Sequence, residues 1–300
     1  MNIFKEETLG TMQQVDFDHI NHVGMAVRDL ALATATFEAM GFQLTPYSPQ
    51  SAAWKPGDTV KPLASGNRCI MFADNYLEVL GSENPKQQAP RIANFLARHQ
   101  GAHIICFNSE NPHAVDQRLH ASQIETSGVI PLQRDIDTPD GVKTAKFERV
   151  QFAPNDSPEG YIQSARHLTP EYIYQPRYIV HPNGCTKLVD TIVVVDDLDR
   201  FSDRYTRYIG APLVREGRVA RFDFALGSRL TLVHWRDAAA LLPGTLFAPV
   251  PCIAAVSFRA PDLRAVRERL LAKGFTPAEV GERLVVPAEQ ASGVAVVFEV

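Results

Sequence analysis

The sequence predicts an α+β protein built from four βαβββ modules, and two observations support this prediction. A short apolar run, followed by an acidic or polar residue and then a helical pattern, recurs four times along the 300 residues. Stretches with strand character follow the helices. Because one unit of this size cannot bury a sufficient core, we expect the modules to associate as two pairs. The four apolar runs begin at Ile20, Ala102, Val189 and Ala254.

Three of the four predicted helices have both a start and a stop signal. An aspartate stands where the helix cap is expected, and a glycine ends the apolar periodicity about three turns later. The second repeat has no glycine at the corresponding place, which makes its match weaker. The aspartates are Asp29, Asp197 and Asp262, and the glycines are Gly41, Gly210 and Gly274.

The strands that follow each helix are predicted from short apolar or alternating runs between turn residues. The first three modules each have a full set, whereas only the last strand of the fourth module is evident. The predicted strands are 43–47, 68–73 and 76–80, then 127–132, 143–152 and 160–166, then 212–216, 219–225 and 229–235, and finally 293–300.

Composition excludes several classes of function. The 30 basic and 34 acidic residues nearly balance, which argues against a nucleic-acid partner. Neither a signal peptide nor an apolar run long enough for a membrane helix is present, so no membrane association is expected. The four cysteines form no C-x-x-C pair and indicate reduced thiols. We therefore expect a cytoplasmic protein with a small-molecule substrate. The sequence is also compatible with a homodimer.

The motifs of several enzyme classes are missing from the sequence. It contains no G-x-S-x-G elbow, phosphate-binding loop, G-x-G-x-x-G turn or H-E-x-x-H helix. This argues against a serine hydrolase, a nucleotide triphosphatase, a nucleotide-dependent dehydrogenase and a zinc protease.

The run Asn21-His22-Val23-Gly24-Met25-Ala26-Val27-Arg28-Asp29-Leu30, with Tyr76-Leu77-Glu78-Val79-Leu80-Gly81, resembles the vicinal oxygen chelate (VOC) superfamily and its glyoxalase-like domain proteins. The strings at 67–72, 167–171 and 181–184 resemble the same group. The resemblance implies two glyoxalase/bleomycin-resistance/dihydroxybiphenyl-dioxygenase-like domains, each made of two βαβββ modules. We place them at 17–185 and 186–300, after an N-terminal extension at 1–16.

The resemblance also implies a divalent metal where first and fourth strands meet. Carried over position by position, the first-strand ligands fall on His22 and His103, and the fourth-strand ligands on Glu78 and Gln163. Gln163 stands where a second glutamate is common, so it is a weak neutral ligand or none. Two imidazoles and a carboxylate suit Fe(II), Zn(II) or Mn(II), with Ni(II) and Co(II) as further choices.

Strand alternation supports these positions independently. His22 shares its strand face with Gly24 and Ala26, and such small neighbours leave space above the imidazole. Glu78 lies in an otherwise apolar strand, where a carboxylate is costly to bury unless it is paired, metal-bound or solvated.

Three further residues are candidates for catalysis. His167 shares the strand face of Gln163 and is a candidate general acid or base, or a substitute ligand. Tyr161 lies on the same strand, and Arg68 is a candidate for holding a substrate carboxylate. A long loop containing 54–58 is a candidate lid.

The second half lacks an imidazole pair. Its first-strand positions hold Asp190 and Ala255, and its fourth strands supply Thr231 and Glu299. We therefore expect residues 186–300 to be a degenerate partner domain.

The leading hypothesis is a metal-dependent VOC-type enzyme, lyase-like or isomerase-like, that acts on a small oxygen-rich metabolite chelated at the metal. One alternative is an Fe(II) ring-cleaving, extradiol-type dioxygenase, although the resemblance implies a metal in the second half for those enzymes. The other alternative is a non-catalytic protein that binds or sequesters a small molecule.

Overall fold

The computed structural model describes residues 16–52, 61–84 and 89–300. Nearly all of the expected N-terminal extension and the candidate lid at 54–58 lie outside these residues. The described part of the chain forms seven α-helices and sixteen β-strands. None of these helices combines the length and apolar character needed to cross a membrane.

The first two modules follow the predicted βαβββ order, with one additional helix between them and short helical turns after them. Module 1 consists of β1 (Ile20–Ala26), α1 (Leu30–Ala39), β2 (Ser48–Ala52), β3 (Lys61–Met71) and β4 (Tyr76–Gly81). After α2 (Pro90–Arg98), module 2 consists of β5 (Gly101–Asn108), α3 (Pro112–Ala121), β6 (Ile130–Thr138), β7 (Gly141–Gln151) and β8 (Tyr161–His167), followed by α4 (Pro170–Ile173) and a 3-10 turn (Pro176–Tyr178).

The last two modules repeat the same order with shorter second and third strands. Module 3 consists of β9 (Lys187–Val195), α5 (Leu198–Ile209), β10 (Val214–Glu216), β11 (Val219–Asp223) and β12 (Arg229–His234), followed by α6 (Ala238–Leu241). Module 4 consists of β13 (Cys252–Arg259), α7 (Leu263–Ala272), β14 (Ala278–Glu279), β15 (Arg283–Val286), a 3-10 turn (Ala288–Gln290) and β16 (Ala295–Glu299).

Modules associate as two pairs, as predicted, and they do so through their first strands. Strands β1 and β5 are antiparallel neighbours, and so are β9 and β13. Each first strand also pairs in parallel with the fourth strand of its own module. This gives a first sheet, β2-β3-β4-β1-β5-β8-β7-β6, and a second sheet, β10-β11-β12-β9-β13-β16-β15-β14. A bridge between Ala102 and Ile253 joins them.

The predicted helix caps are confirmed. The carboxylate of Asp29 accepts a hydrogen bond from the amide of Leu32 at 2.9 Å, and Asp197 and Asp262 cap α5 and α7 in the same way. A cap of this kind contributes about 1 kcal/mol. Gly210 ends α5 in the left-handed conformation with φ of 71°. The sequence thus predicted the residues that cap and end these helices.

Some elements differ from the prediction. Strand β2 begins at Ser48, after the predicted 43–47, and Pro46 within the predicted segment has no N–H for a strand ladder. Strands β14 and β15 are so short that they leave little periodicity. Helix α2 was not predicted, although Pro90 at its first turn and an apolar triplet are helix signals. That triplet is Ile92, Phe95 and Leu96.

The largest apolar core lies on the helix-covered side of the sheets and runs through both halves. Phe42 of the first half packs against Phe258 and Phe298 of the second, with ring centroids 4.8 and 5.9 Å apart. Phe107 packs against Phe224 at 5.7 Å. The two halves therefore share one core, and the opposite, concave faces of the sheets are left for separate clusters of side chains.

Two glycines meet where the halves join. Gly101 begins β5 with φ of +136°, and Gly293 precedes β16 with φ of +95°. A Cβ atom on Gly101 would lie 2.2 Å from the carbonyl oxygen of Gly293, and a Cβ on Gly293 would lie 2.2 Å from that of Gln100. Only glycine permits this approach of two backbones.

We expect Gly101→Ala and Gly293→Ala each to lower the free energy of unfolding by more than about 2 kcal/mol, because the new methyl group meets fixed backbone in addition to the left-handed φ. Gly128→Ala is the matched control, since its φ is +67° and no atom lies within 4 Å of its Cβ position. It should cost about 1 kcal/mol. Urea unfolding measures all three, and equal losses would contradict the close approach.

Candidate active-site cleft

The concave face of the first sheet carries most of the polar side chains that the sequence singled out. Strand register places Tyr76, His22, Cys106 and Gln163 in one row across β4, β1, β5 and β8. Residues at paired positions project from the same face of a sheet. Glu78 pairs with Gly24 in the next row, so His22 and Glu78 are diagonal neighbours on this face.

His22 is a buried imidazole with a defined orientation. Its Nδ1 atom donates a hydrogen bond to the side-chain oxygen of Asn21 at 2.8 Å, which leaves the lone pair on Nε2. The ring stacks on Tyr76 with centroids 4.7 Å apart. Burial, with a smaller contribution from the charges of Arg134 and Arg91, lowers the pKa of His22 to about 3. The side chain is therefore neutral at physiological pH.

Glu78 is buried next to a fully buried amide. The side-chain nitrogen of Asn67 donates a hydrogen bond to the carboxylate of Glu78, whereas the Oδ1 atom of Asn67 has no partner in the described structure. Glu78 also interacts electrostatically with Arg91: burial lowers the pKa of Arg91, and the negative charge of Glu78 opposes that shift. The carboxylate thus faces both a hydrogen-bond donor and a cation.

Three arginines surround this face, and none of them was predicted. Arg91 comes from α2, Arg134 from β6 and Arg149 from β7. Arg91 and Arg149 lie over the ring of Tyr161 at 5.3 and 5.6 Å, and Arg149 donates a hydrogen bond to its hydroxyl group. Burial first, and then the charge of Arg91, lowers the pKa of Arg149 to about 10.

Sequence signals for two of these arginines existed. Arg149 alternates with Ala145 and Phe147 on strand β7, and an arginine on an apolar strand face is unusual. Arg91 lies in the first turn of α2, so the failure to predict that helix hid it. Cation positions in the cleft were therefore the main feature that the sequence analysis missed.

The predicted pairing of His103 with His22 is corrected by the strand register. Gly24 pairs with Ile104 and Met25 with Ala102, so His103 is the extra residue of a bulge. Its Nε2 atom donates a hydrogen bond to the carbonyl oxygen of His99 at 3.0 Å, and its ring stacks on Phe95 at 4.7 Å. Ile104 pairs with Tyr161, the first residue of β8, as His22 pairs with Tyr76, the first residue of β4. Ile104 therefore occupies the position in module 2 that is equivalent to His22 in module 1.

His167 lies with the site, in an aromatic group next to His22. Its ring centroid is 5.0 Å from that of Phe147, 5.5 Å from that of Tyr174 and 6.3 Å from that of Tyr76. Burial, followed by the influence of His22, lowers the pKa of His167 to about 3. Its Nδ1 atom is buried without a partner in the described structure.

Arg68 does not join the site. It follows Asn67 on β3, and adjacent strand residues project to opposite faces. Its Nη1 atom donates a hydrogen bond to the carbonyl oxygen of Thr45 at 3.3 Å. The structure thus brings together His22, Glu78, Gln163, Tyr161 and His167, but places Arg68 elsewhere.

We tested whether these side chains fit the divalent metal that the resemblance implies. His22 and Glu78 are suitable donors, and Gln163 adds a neutral amide. Within residues 16–52, 61–84 and 89–300, no group of three or more His, Cys, Asp or Glu side chains is placed to hold a metal ion. The guanidinium groups around the same space oppose a cation. The side chains therefore supply two strong coordination positions, from His22 and Glu78, and one weak one from Gln163.

The equivalent face of the second sheet is filled. Arg229 binds Asp190 at 2.8 Å and Glu299 at 2.6 Å, and Thr231 donates a hydrogen bond to Asp190. Burial raises the pKa of Asp190 to about 6, against the effect of Arg229. The rest of this face is an apolar cluster that includes α6. Its polar side chains therefore bind one another.

Comparison with known proteins agrees with this fold. The sequence matches the family described as "Glyoxalase-like domain" over residues 20–209. No curated protein matches the sequence.

Three solved structures resemble most of the chain. A hypothetical protein from Staphylococcus aureus aligns with a TM-score of 0.60 at 12% identity, over 94% of this chain and 98% of that one. The Mn(II)-bound glyoxalase from Novosphingobium aromaticivorans aligns at 0.54 and 12%, over 95% and 82%. A mutant of 4-hydroxymandelate synthase from Streptomyces coelicolor aligns at 0.52 and 13%, over 94% and 92%. At these identities the likeness establishes the VOC fold.

The environment of His103 gives the protein a specific sensitivity to acid. Burial lowers the pKa of His103 to about 4, against the opposing effect of the hydrogen bond to the His99 carbonyl, and Nδ1 is buried without a partner in the described structure. The unfolded chain binds this proton near pH 6.5, so the stability contribution is present above that pH and is lost as pH falls towards 4. At pH 5 the loss is about 2 kcal/mol.

The free energy of unfolding falls between pH 7.5 and pH 5, and we expect this fall to be about 2 kcal/mol smaller in His103→Phe than in the unmodified protein. Urea unfolding at the two pH values measures this difference. His113→Gln, at an exposed position on α3, is the control and should leave the pH dependence unchanged. If His103→Phe has the same pH dependence as the unmodified protein, His103 is not the source of the acid sensitivity.

Proposed function

The chain belongs to the glyoxalase-like domain family, and on this premise we propose that it is an enzyme that removes a proton next to a carbonyl group of a small oxygen-rich molecule. The observation that carries the proposal is that the buried Glu78 carboxylate shares one sheet face with Tyr161, over which the guanidinium groups of Arg91 and Arg149 lie. A base and stabilisers of a developing oxyanion are the two requirements of such a step.

Glu78 is the proton acceptor in this proposal. Its carboxylate takes the proton from the carbon next to the carbonyl, and the C–H electron pair moves to form the enolate. Asn67 orients the carboxylate through one oxygen. Return of the proton to another carbon gives an isomerase, and departure of a group from the neighbouring carbon gives a lyase.

The enolate oxygen is stabilised by cations and a phenol. Arg91 and Arg149 flank Tyr161, and the hydrogen bond from Arg149 to the tyrosine oxygen leaves the phenol proton free to point elsewhere. Because these groups are already held in place by their contacts, little reorganisation is needed when charge develops.

Neutral His22 completes the positioning. Because Asn21 holds Nδ1, the Nε2 atom accepts a hydrogen bond from a substrate hydroxyl without adding charge. Two apolar clusters border this face, one with α2 and one around Ile173. An apolar setting strengthens each of these electrostatic contacts.

Deuterium exchange tests the reaction. We expect the protein in D2O to exchange the carbon-bound protons of at least one probe, from a panel of pyruvate, 2-oxobutyrate, hydroxyacetone and dihydroxyacetone, as observed by proton NMR. Glu78→Gln should slow this exchange at least about 100-fold. Glu171→Gln, at an exposed glutamate on α4, is the control and should match the unmodified protein. If the unmodified protein exchanges these protons no faster than Glu78→Gln does, the result would instead indicate a non-catalytic binding protein.

A metal-dependent enzyme is the second candidate, and the orientation of His22 favours it. Fixing Nδ1 by an oxygen while Nε2 stays free is how proteins commonly orient a metal-binding histidine. His22, Glu78 and Gln163 would hold the ion. A bound divalent metal would polarise the substrate oxygens. The Mn(II) in the glyoxalase from Novosphingobium aromaticivorans supports this candidate.

Metal analysis separates the two candidates. For the metal-free step we expect less than about 0.1 equivalent of any transition metal per chain, and exchange that persists in EDTA, because the site offers only two strong donors. About one equivalent of Fe, Mn, Zn, Ni or Co that disappears in His22→Ala would support the metal-dependent enzyme instead. Oxygen uptake with catechols by the iron-loaded protein would indicate the dioxygenase alternative.

A further inference from the structure

We propose that the ligand of this cleft is a monocarboxylate with an apolar body, whose carboxylate binds Arg134 while its body occupies the cavity beside that arginine. The inference rests on the proposed function, which requires a small molecule in the cleft, and it specifies the chemical class of that molecule.

The cavity lies where the outer strands of the two modules approach each other. It has a volume of about 250 Å³ and extends from residues 45–49 and strand β3 to strand β6 and residues 173–178. Its walls are mainly apolar and aromatic. They include Tyr47, Met71, Ile136, Ile173 and Tyr178. A cavity of this size accommodates a ring or a short branched chain.

Polar side chains that line the cavity have buried atoms without a partner in the described structure. Asn67 is fully buried, and its Oδ1 atom has no hydrogen-bond partner in the described structure. The Nε atom of Arg134 is buried and equally without a partner there. Buried polar atoms in proteins are usually satisfied, so a ligand that pairs with these two atoms explains both.

The charge of Arg134 is not neutralised by the carboxylates near it. Within the described residues it forms no ion pair. Of the acidic residues that line the same cavity, Asp137 binds Arg177 at 3.1 Å, and Asp135 accepts a hydrogen bond from Thr144 at 2.8 Å. Arg134 therefore presents a guanidinium group without an ion-pair partner to a mainly apolar cavity.

A carboxylate meets these requirements better than a neutral polar group. It supplies the charge that Arg134 lacks and accepts hydrogen bonds from a guanidinium in a planar arrangement. A hydroxyl or N–H group on the same ligand would donate to Oδ1 of Asn67. The charge of Arg134 contributes to the lowered pKa of both His22 and His167, so a carboxylate at Arg134 lies within electrostatic range of these side chains.

Matched acid and amide probes test the charge requirement. Isothermal titration should show that 3-phenylpropanoate binds the full chain at least tenfold more tightly than 3-phenylpropanamide, which has the same shape without the charge. Arg134→Gln should abolish this difference, and Arg134→Lys should retain part of it. Arg264→Gln, at an exposed position on α7, is the control and should retain all of it. Circular dichroism confirms that each variant is folded.

Three outcomes would overturn the inference: no binding of the acid at 10 mM, equal binding of acid and amide, or a preference that persists in Arg134→Gln. The result is separable from that of the exchange experiment. Exchange of hydroxyacetone without acid binding keeps the proposed function and removes this inference. Acid binding that depends on Arg134, without any exchange, keeps this inference and removes the catalytic step.

Discussion

Antiparallel pairing of β1 with β5 decides which side chains share the concave face of the first sheet. Each of these strands brings the fourth strand of its own module alongside it, so one ladder fixes the positions of Glu78 and Gln163 relative to His22. The ladder contains a bulge at His103, and a shift of one residue changes which side chain occupies a given position. The chemistry of the cleft therefore depends on this strand register more than on any single side chain.

The two halves show how one scaffold leads to opposite results. In the first half, polar side chains lie on the concave face beside two apolar clusters, and arginines from α2, β6 and β7 approach it. In the second half the same face is closed by an apolar cluster, and Arg229 neutralises Asp190 and Glu299. The sequence predicted open space at Gly24, and this was wrong, because a Cβ there would lie 2.8 Å from Ile104. The cleft is bounded by such close contacts.

The sequence predicted the parts of the structure that depend on local interactions. Module order, helix caps such as Asp29, and stops such as Gly210 follow from hydrogen bonds and backbone angles within a few residues. It did not predict the bulge at His103, because a bulge is a property of two paired strands. It also missed Arg134, whose role depends on a cavity formed by distant segments.

Helix α2 has a consequence for how proteins with this fold diversify. It connects the two modules in the chain, yet it packs on the concave face and supplies Arg91. Connecting segments tolerate substitution better than paired strands do, because few ladder hydrogen bonds depend on them. Selection can therefore alter the charge and shape of the site by changing this connector while the sheet stays intact. Relatives with the same strands and a different connector are expected to differ in the molecules they accept.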